Sequence, residues 1–82
     1  IDYYNYYGNM YLISTYKGQQ KYQECLAVAQ KMLYILPTNT TFLNELAIAY
    51  YNLDQTEDAF RVFNSVLILD PENVKAKGYL AK

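Results

Sequence analysis

The sequence predicts an all-α protein of antiparallel helix hairpins, stacked as two repeats and closed by a C-terminal capping helix. Three observations predict it. Apolar residues recur at the i, i+3, i+4, i+7 spacing that places them on one face of a helix. Gly18, Pro37 and the pair Asp70-Pro71 punctuate those runs at helix-length intervals. The chain also repeats itself at a spacing of 34 residues: Leu46 falls on Leu12, Tyr50 on Tyr16, Leu67 on Leu33, Leu69 on Ile35, Pro71 on Pro37 and Asn73 on Asn39. A fixed internal period of this kind marks a helical repeat array. Such arrays present extended surfaces, so the expected work is recognition of another protein.

Taken in order, Ile1-Asp2 reads either as the tail of a preceding helix or as a frayed terminus. Tyr6 to Lys17 reads as the first helix, with Met10, Leu12, Ile13 and Tyr16 along one face. Gly8 lies within it and costs about 1 kcal/mol of helix propensity. Gly18 is the expected stop, since glycine takes the left-handed C-terminal conformation without penalty. Gln20 to Leu36 is the second helix, its buried stripe made of Tyr22, Cys25, Leu26, Ala29, Met32, Leu33 and Leu36. Pro37 ends it, because a proline pushes the residue before it out of helical dihedrals.

Thr38 to Thr41 can cap the third helix, which runs from Asn39 to Leu53 with Phe42, Leu43, Leu46, Ala47 and Tyr50 inward. Asp54 and Glu57 have the spacing of a capping box for the fourth helix. That helix runs from Gln55 to Leu69 with Ala59, Phe60, Phe63, Val66 and Leu67 inward. Asp70-Pro71 reads as the start of a fifth helix, Asp capping and Pro at the first helical position, which continues to Ala81.

The bulk properties exclude several functions. The chain has 82 residues, enough for one small domain with a modest core. It begins at Ile1 and reads as an excised piece of a longer protein. No segment approaches the roughly 18 apolar residues of a membrane span, and the start lacks the basic residues and apolar run of a signal peptide. A soluble, cytoplasmic setting is favoured, with the compartment left open. Net charge is −1, which argues against a basic stripe for nucleic acid or anionic membrane. Histidine is absent and there is one cysteine, Cys25, so an internal disulfide, a multi-cysteine metal site and the commonest general base are all missing. No Gly-rich phosphate loop or nucleophile–base arrangement is present, so catalysis, cofactor and metal are not expected.

The unit from Leu43 to Pro71 resembles the tetratricopeptide repeat (TPR) family, whose pattern is W-x-x-L-G-x-x-Y, then A-x-x-x-F, then P, over about 34 residues. Within the second repeat, residues 40–73, Leu43 stands for Trp and Ala47 for Gly, and Leu46, Tyr50, Ala59, Phe63 and Pro71 match. The first repeat, residues 6–39, departs further: Asn9 stands for Trp, Ile13 for Gly, Cys25 for Ala and Ala29 for Phe, while Leu12, Tyr16 and Pro37 match. Residues 74–82 resemble a capping helix or the first helix of a third repeat. Small residues belong where helices cross closely, so Ile13 either splays the first hairpin or is accommodated by space at Asn9 and Ala29. The resemblance implies a TPR-like right-handed α-solenoid forming a single domain over residues 1–82.

The resemblance also implies a peptide-binding groove on the first helix of each repeat. Carried over by position, its residues are Tyr7, Met10, Tyr11, Ser14, Lys17, Thr41, Asn44, Glu45, Ile48, Tyr51, Asn52, Lys75 and Tyr79. This is an aromatic, mostly uncharged face, and tyrosine suits binding because it is large, fairly rigid and polar-tipped. Tyr11→Ala or Tyr51→Ala is expected to weaken partner binding without unfolding. The family's carboxylate clamp for chaperone C-terminal tails falls on Met10, Ser14, Glu45, Lys75 and Tyr79. Only Lys75 fits and Glu45 opposes a carboxylate, so chaperone-tail binding is not expected. Cys25 reads as a buried packing residue, and Glu57-Asp58 cannot act as a facing carboxylate pair. Lys75, Lys77 and Lys82 read as the solvated face of the last helix. A second function from a different class is structural: two repeats and one helix fall short of the usual three, so the chain could stack on or exchange helices with another copy, a homodimer in the simplest case.

Overall fold

Five α-helices make up the computed structural model, which describes residues 3–82, with no strand among them. They are α1 (Tyr3–Gly18), α2 (Tyr22–Ile35), α3 (Thr40–Asn52), α4 (Thr56–Leu69) and α5 (Val74–Leu80). Each packs on the helix before and after it in sequence. The arrangement measures 33 × 26 × 18 Å. Ile1-Asp2 lies outside the described residues. No described helix is long and apolar enough to cross a membrane.

The backbone recurs at the spacing seen in the sequence. α1 ends with Gln20 in the left-handed conformation at φ 59°, and α3 ends with Asp54 at φ 63°. In the first turn the Gln20 amide donates to the Lys17 carbonyl (3.0 Å) and the Lys21 amide to the Tyr16 carbonyl (2.8 Å). In the second, the Asp54 amide donates to Tyr51 (3.2 Å) and the Gln55 amide to Tyr50 (2.9 Å). Both are Schellman motifs, which satisfy the last carbonyls of a helix. The N-caps recur as well. Asn39 accepts from the Phe42 amide and Asn73 from the Ala76 amide, each at 3.0 Å.

Four local expectations change. The left-handed residue after α1 is Gln20 rather than Gly18, which remains helical. Asp54 belongs to the end of α3, so it makes no capping box with Glu57; Gln55 is the N-cap of α4 and makes no side-chain bond. Asp70 ends α4 rather than starting α5, and Asn73 caps α5. α1 extends back at least to Tyr3, beyond the expected start at Tyr6, with Gly8 inside it.

The left-handed non-glycine residues give a first test. An L-residue there is strained by about 1–2 kcal/mol, and glycine gives back part of that through its greater unfolded-state freedom. Gln20→Gly and Asp54→Gly are each expected to stabilise the fold by about 0.5–1 kcal/mol, measured as an increased midpoint in urea.

The core lies in two clusters on either side of α3. Ile13, Cys25, Val28, Ala29, Met32, Phe42, Leu46 and Ala49 fill the first. Ala47, Ile48, Ala59, Phe63, Val66 and Ala76 fill the second, and Tyr50 and Val62 pack against both. Burying each large apolar side chain contributes roughly 1.5–3 kcal/mol. Ile13 is fully buried, and the Cys25 thiol reaches its carbonyl at 3.5 Å, so the first hairpin stays in contact at that crossing. Fully buried Ala29 provides a small neighbour, while Asn9 turns its amide back to Asn5 (2.7 Å to the carbonyl). Burial pushes the Cys25 thiol up from its ordinary pKa, in keeping with a packing role.

Candidate functional site

The odd-numbered helices are joined side to side through their side chains. Between α1 and α3, the Tyr6 ring meets Phe42 edge-on at 5.2 Å, and Asn39 Nδ2 donates to the Tyr6 hydroxyl at 3.3 Å. Between α3 and α5, Tyr51 meets Tyr79 edge-on at 5.1 Å, and Asn44 Nδ2 donates to Asn73 Oδ1 at 3.0 Å. Glu45 connects all three helices: Lys17 Nζ of α1 lies 2.9 Å from Oε1, and Lys75 Nζ of α5 lies 3.8 Å from Oε2.

The thirteen expected groove positions divide by depth. Tyr7, Tyr11, Ser14, Thr41, Asn52 and Lys75 are exposed, Tyr11 at 75%. Met10, Lys17, Tyr51 and Tyr79 are half-buried. Asn44, Glu45 and Ile48 are buried, so they form structure beneath the surface and are not directly reachable from solvent. Ile48 belongs to the second core, because α3 is covered on both sides and has little free face. The Ile48 carbonyl accepts from Asn52 Nδ2 at 2.8 Å.

The charged residues on this face are Lys17, Glu45 and Lys75, and they lie together. A carboxylate only 5% exposed is tolerated because two ammonium groups answer it. Two lysines against one glutamate leave a local charge of +1. The repulsion that Glu45 was expected to exert on an acidic ligand is therefore largely cancelled. Met10, Ser14 and Tyr79 still lack the charge or amide that a carboxylate clamp uses at those positions.

The three C-terminal lysines are exposed, as expected of a solvated face, and each also has a partner. Lys75 reaches Glu45, and Lys77 reaches Glu72 at 3.3 Å. Lys82 Nζ lies 4.3 Å from the Tyr79 ring centroid and 5.5 Å from that of Tyr51, within range of a cation–π attraction. Tyr79 also stacks on Phe63 at 4.8 Å. Tyr51 is thus part of a ring cluster that seats α5, and its removal would disturb packing as well as any ligand. Tyr11 is the cleaner probe.

Two features were missed by the sequence reading. Asn44 Oδ1 is buried and accepts no hydrogen bond from the protein. Its partner Asn73 was legible as a repeat of Asn39, but the pairing of Asn44 with Asn73 depends on how α3 meets α5. The second feature is apolar exposure at the ends of the even-numbered helices, with Tyr34 and Ile35 on α2 and Ile68 and Leu69 on α4. These residues recur at the repeat spacing, so the period itself could have found them. Asp54 to Asp58 line an open acidic hollow at the start of α4, where Asp58 pairs with Arg61 at 2.8 Å. Among the described residues no group of three acidic or cysteine side chains comes together as a metal site.

No protein-family model, no curated protein and no solved structure matches the chain.

Proposed function

We propose that this chain is a TPR-like right-handed helical array that binds a segment of a partner protein along α1, α3 and α5, without catalysis. α1–α2 and α3–α4 are its two repeats and α5 is the capping helix. The observation that carries this reading is the side-to-side joining of the odd-numbered helices through Tyr6–Phe42, Lys17–Glu45–Lys75 and Tyr51–Tyr79. It joins three helices along one side, where Tyr7, Tyr11, Ser14, Thr41 and Asn52 are exposed to solvent. Exposed tyrosines provide contact area at low entropic cost.

The test is a selection of random peptides on the intact chain, followed by titration of the strongest binder. Tyr11→Ala is expected to weaken that binder at least tenfold, about 1.4 kcal/mol, with the thermal midpoint unchanged. A Tyr11→Ala chain that binds the selected peptide as well as its parent would contradict the groove.

A further inference from the structure

The first and last helices carry the same register. Asn5, Gly8, Tyr11 and Leu12 of α1 stand two repeat lengths before Asn73, Ala76, Tyr79 and Leu80 at the start and along the length of α5. In both places the pattern is Asn-x-x-small-x-x-Tyr-Leu. α3, between them, breaks it with Phe42 and Glu45 at the small and tyrosine positions.

The two occurrences differ in what covers them. In α5 the pattern is docked on α4: Ala76 is fully buried, Tyr79 stacks on Phe63 at 4.8 Å, and Leu80 packs against the second core. In α1 the matching Tyr11 is 75% exposed, and Gly8 is exposed, with nothing within 4 Å of a Cβ placed there. α5 is also short, seven residues against sixteen in α1. Short helices hold little structure of their own and depend on docking.

We infer that α1 of a second copy of this chain can take the place of α5 on α4, so that copies associate head to tail. The occupant follows from continuity with an interface the chain already contains. The face of α3 that meets α2, and the face of α5 that meets α4, have their counterpart in the exposed face of α1 at Gly8 and Tyr11. In the exchanged arrangement Tyr11 stacks on Phe63 of the other copy and Gly8 occupies the buried position of Ala76. The contact is heterologous, one end of a copy against the other end of the next, so it closes into a ring or runs on as an open chain according to the rotation between copies. Displacing α5 offsets part of the gain, so the association is weak and concentration-dependent.

The test is light scattering on the intact 82-residue chain up to ~1 mM, the range in which a weak contact is populated. The mass is expected to rise steadily with concentration above that of a monomer. Gly8→Ala, which reproduces the residue at Ala76, is expected to associate at least as strongly as the parent. Gly8→Glu, which points into open space in a single copy but would have to enter the buried Ala76 position, is expected to stay monomeric with its helical circular dichroism intact. Gly8 is not a groove residue, so this result stands apart from peptide binding. A chain that remains monomeric throughout, or a Gly8→Glu chain that associates like its parent, would each overturn the exchange.

Discussion

Phe63→Ala is expected to destabilise the fold by about 3–5 kcal/mol. Phe63 is fully buried in the second core and supports Tyr79 by ring stacking. Truncation leaves a cavity and removes the platform on which α5 sits. A chain of 82 residues is stable by about 4–12 kcal/mol on general grounds. The variant should therefore be largely unfolded at the lower end of that range and have a greatly reduced urea midpoint at the upper end. Tyr79→Ala removes the stacking partner without emptying the core, so it should cost less and loosen α5 selectively. Urea titration followed by circular dichroism measures the first effect. Amide hydrogen exchange of α5 measures the second.

The ion bridge gives the second large effect, and its direction is less obvious. The buried partner is the carboxylate: the Glu45 side chain is 6% exposed, against 36% for Lys17 and 53% for Lys75. Lys17→Met leaves a buried carboxylate with one lysine at 3.8 Å, and is expected to cost about 3 kcal/mol. Glu45→Met leaves two lysines that both reach solvent, while methionine fills the space against the core. That change is expected to be near neutral, within about 1 kcal/mol. The claim concerns the order of the two variants as much as their sizes, and paired urea curves decide it. A Glu45→Met chain less stable than the Lys17→Met chain would mean that the bridge itself, and not the need to answer a buried charge, holds these helices together.

The period was legible because it rests on many residues at once. Together with the helix-face spacing of apolar residues it placed five helices and put Cys25, Ala29, Phe42, Ala47, Ala59 and Phe63 inward, where the structure buries them. The caps were less legible because each rests on one or two residues, where a strong local signal can mislead. Gly18 outweighed Gln20, and Asp70-Pro71 outweighed Asn73, although Asn39 already marked the cap one repeat earlier. The period was the better guide to the start of α5. Glu45 shows a different limit. Its helix position pointed to the groove, but its burial depends on α1 and α5 supplying Lys17 and Lys75 from both sides. Lys17 is 28 residues away in sequence, and only the packing of three helices brings the groups together.

The central claim is that α1, α3 and α5 form one ligand-binding surface. The most direct measurement is an amide chemical-shift map of the ¹⁵N-labelled chain titrated with the strongest selected peptide. The account predicts perturbations along Tyr7, Tyr11, Ser14, Thr41, Asn44 and Asn52, continuing onto Lys75 and Tyr79, with the exposed ends of α2 and α4 at Tyr34, Ile35, Ile68 and Leu69 left unchanged. Perturbations confined to those ends would place binding on the opposite elements and contradict the groove.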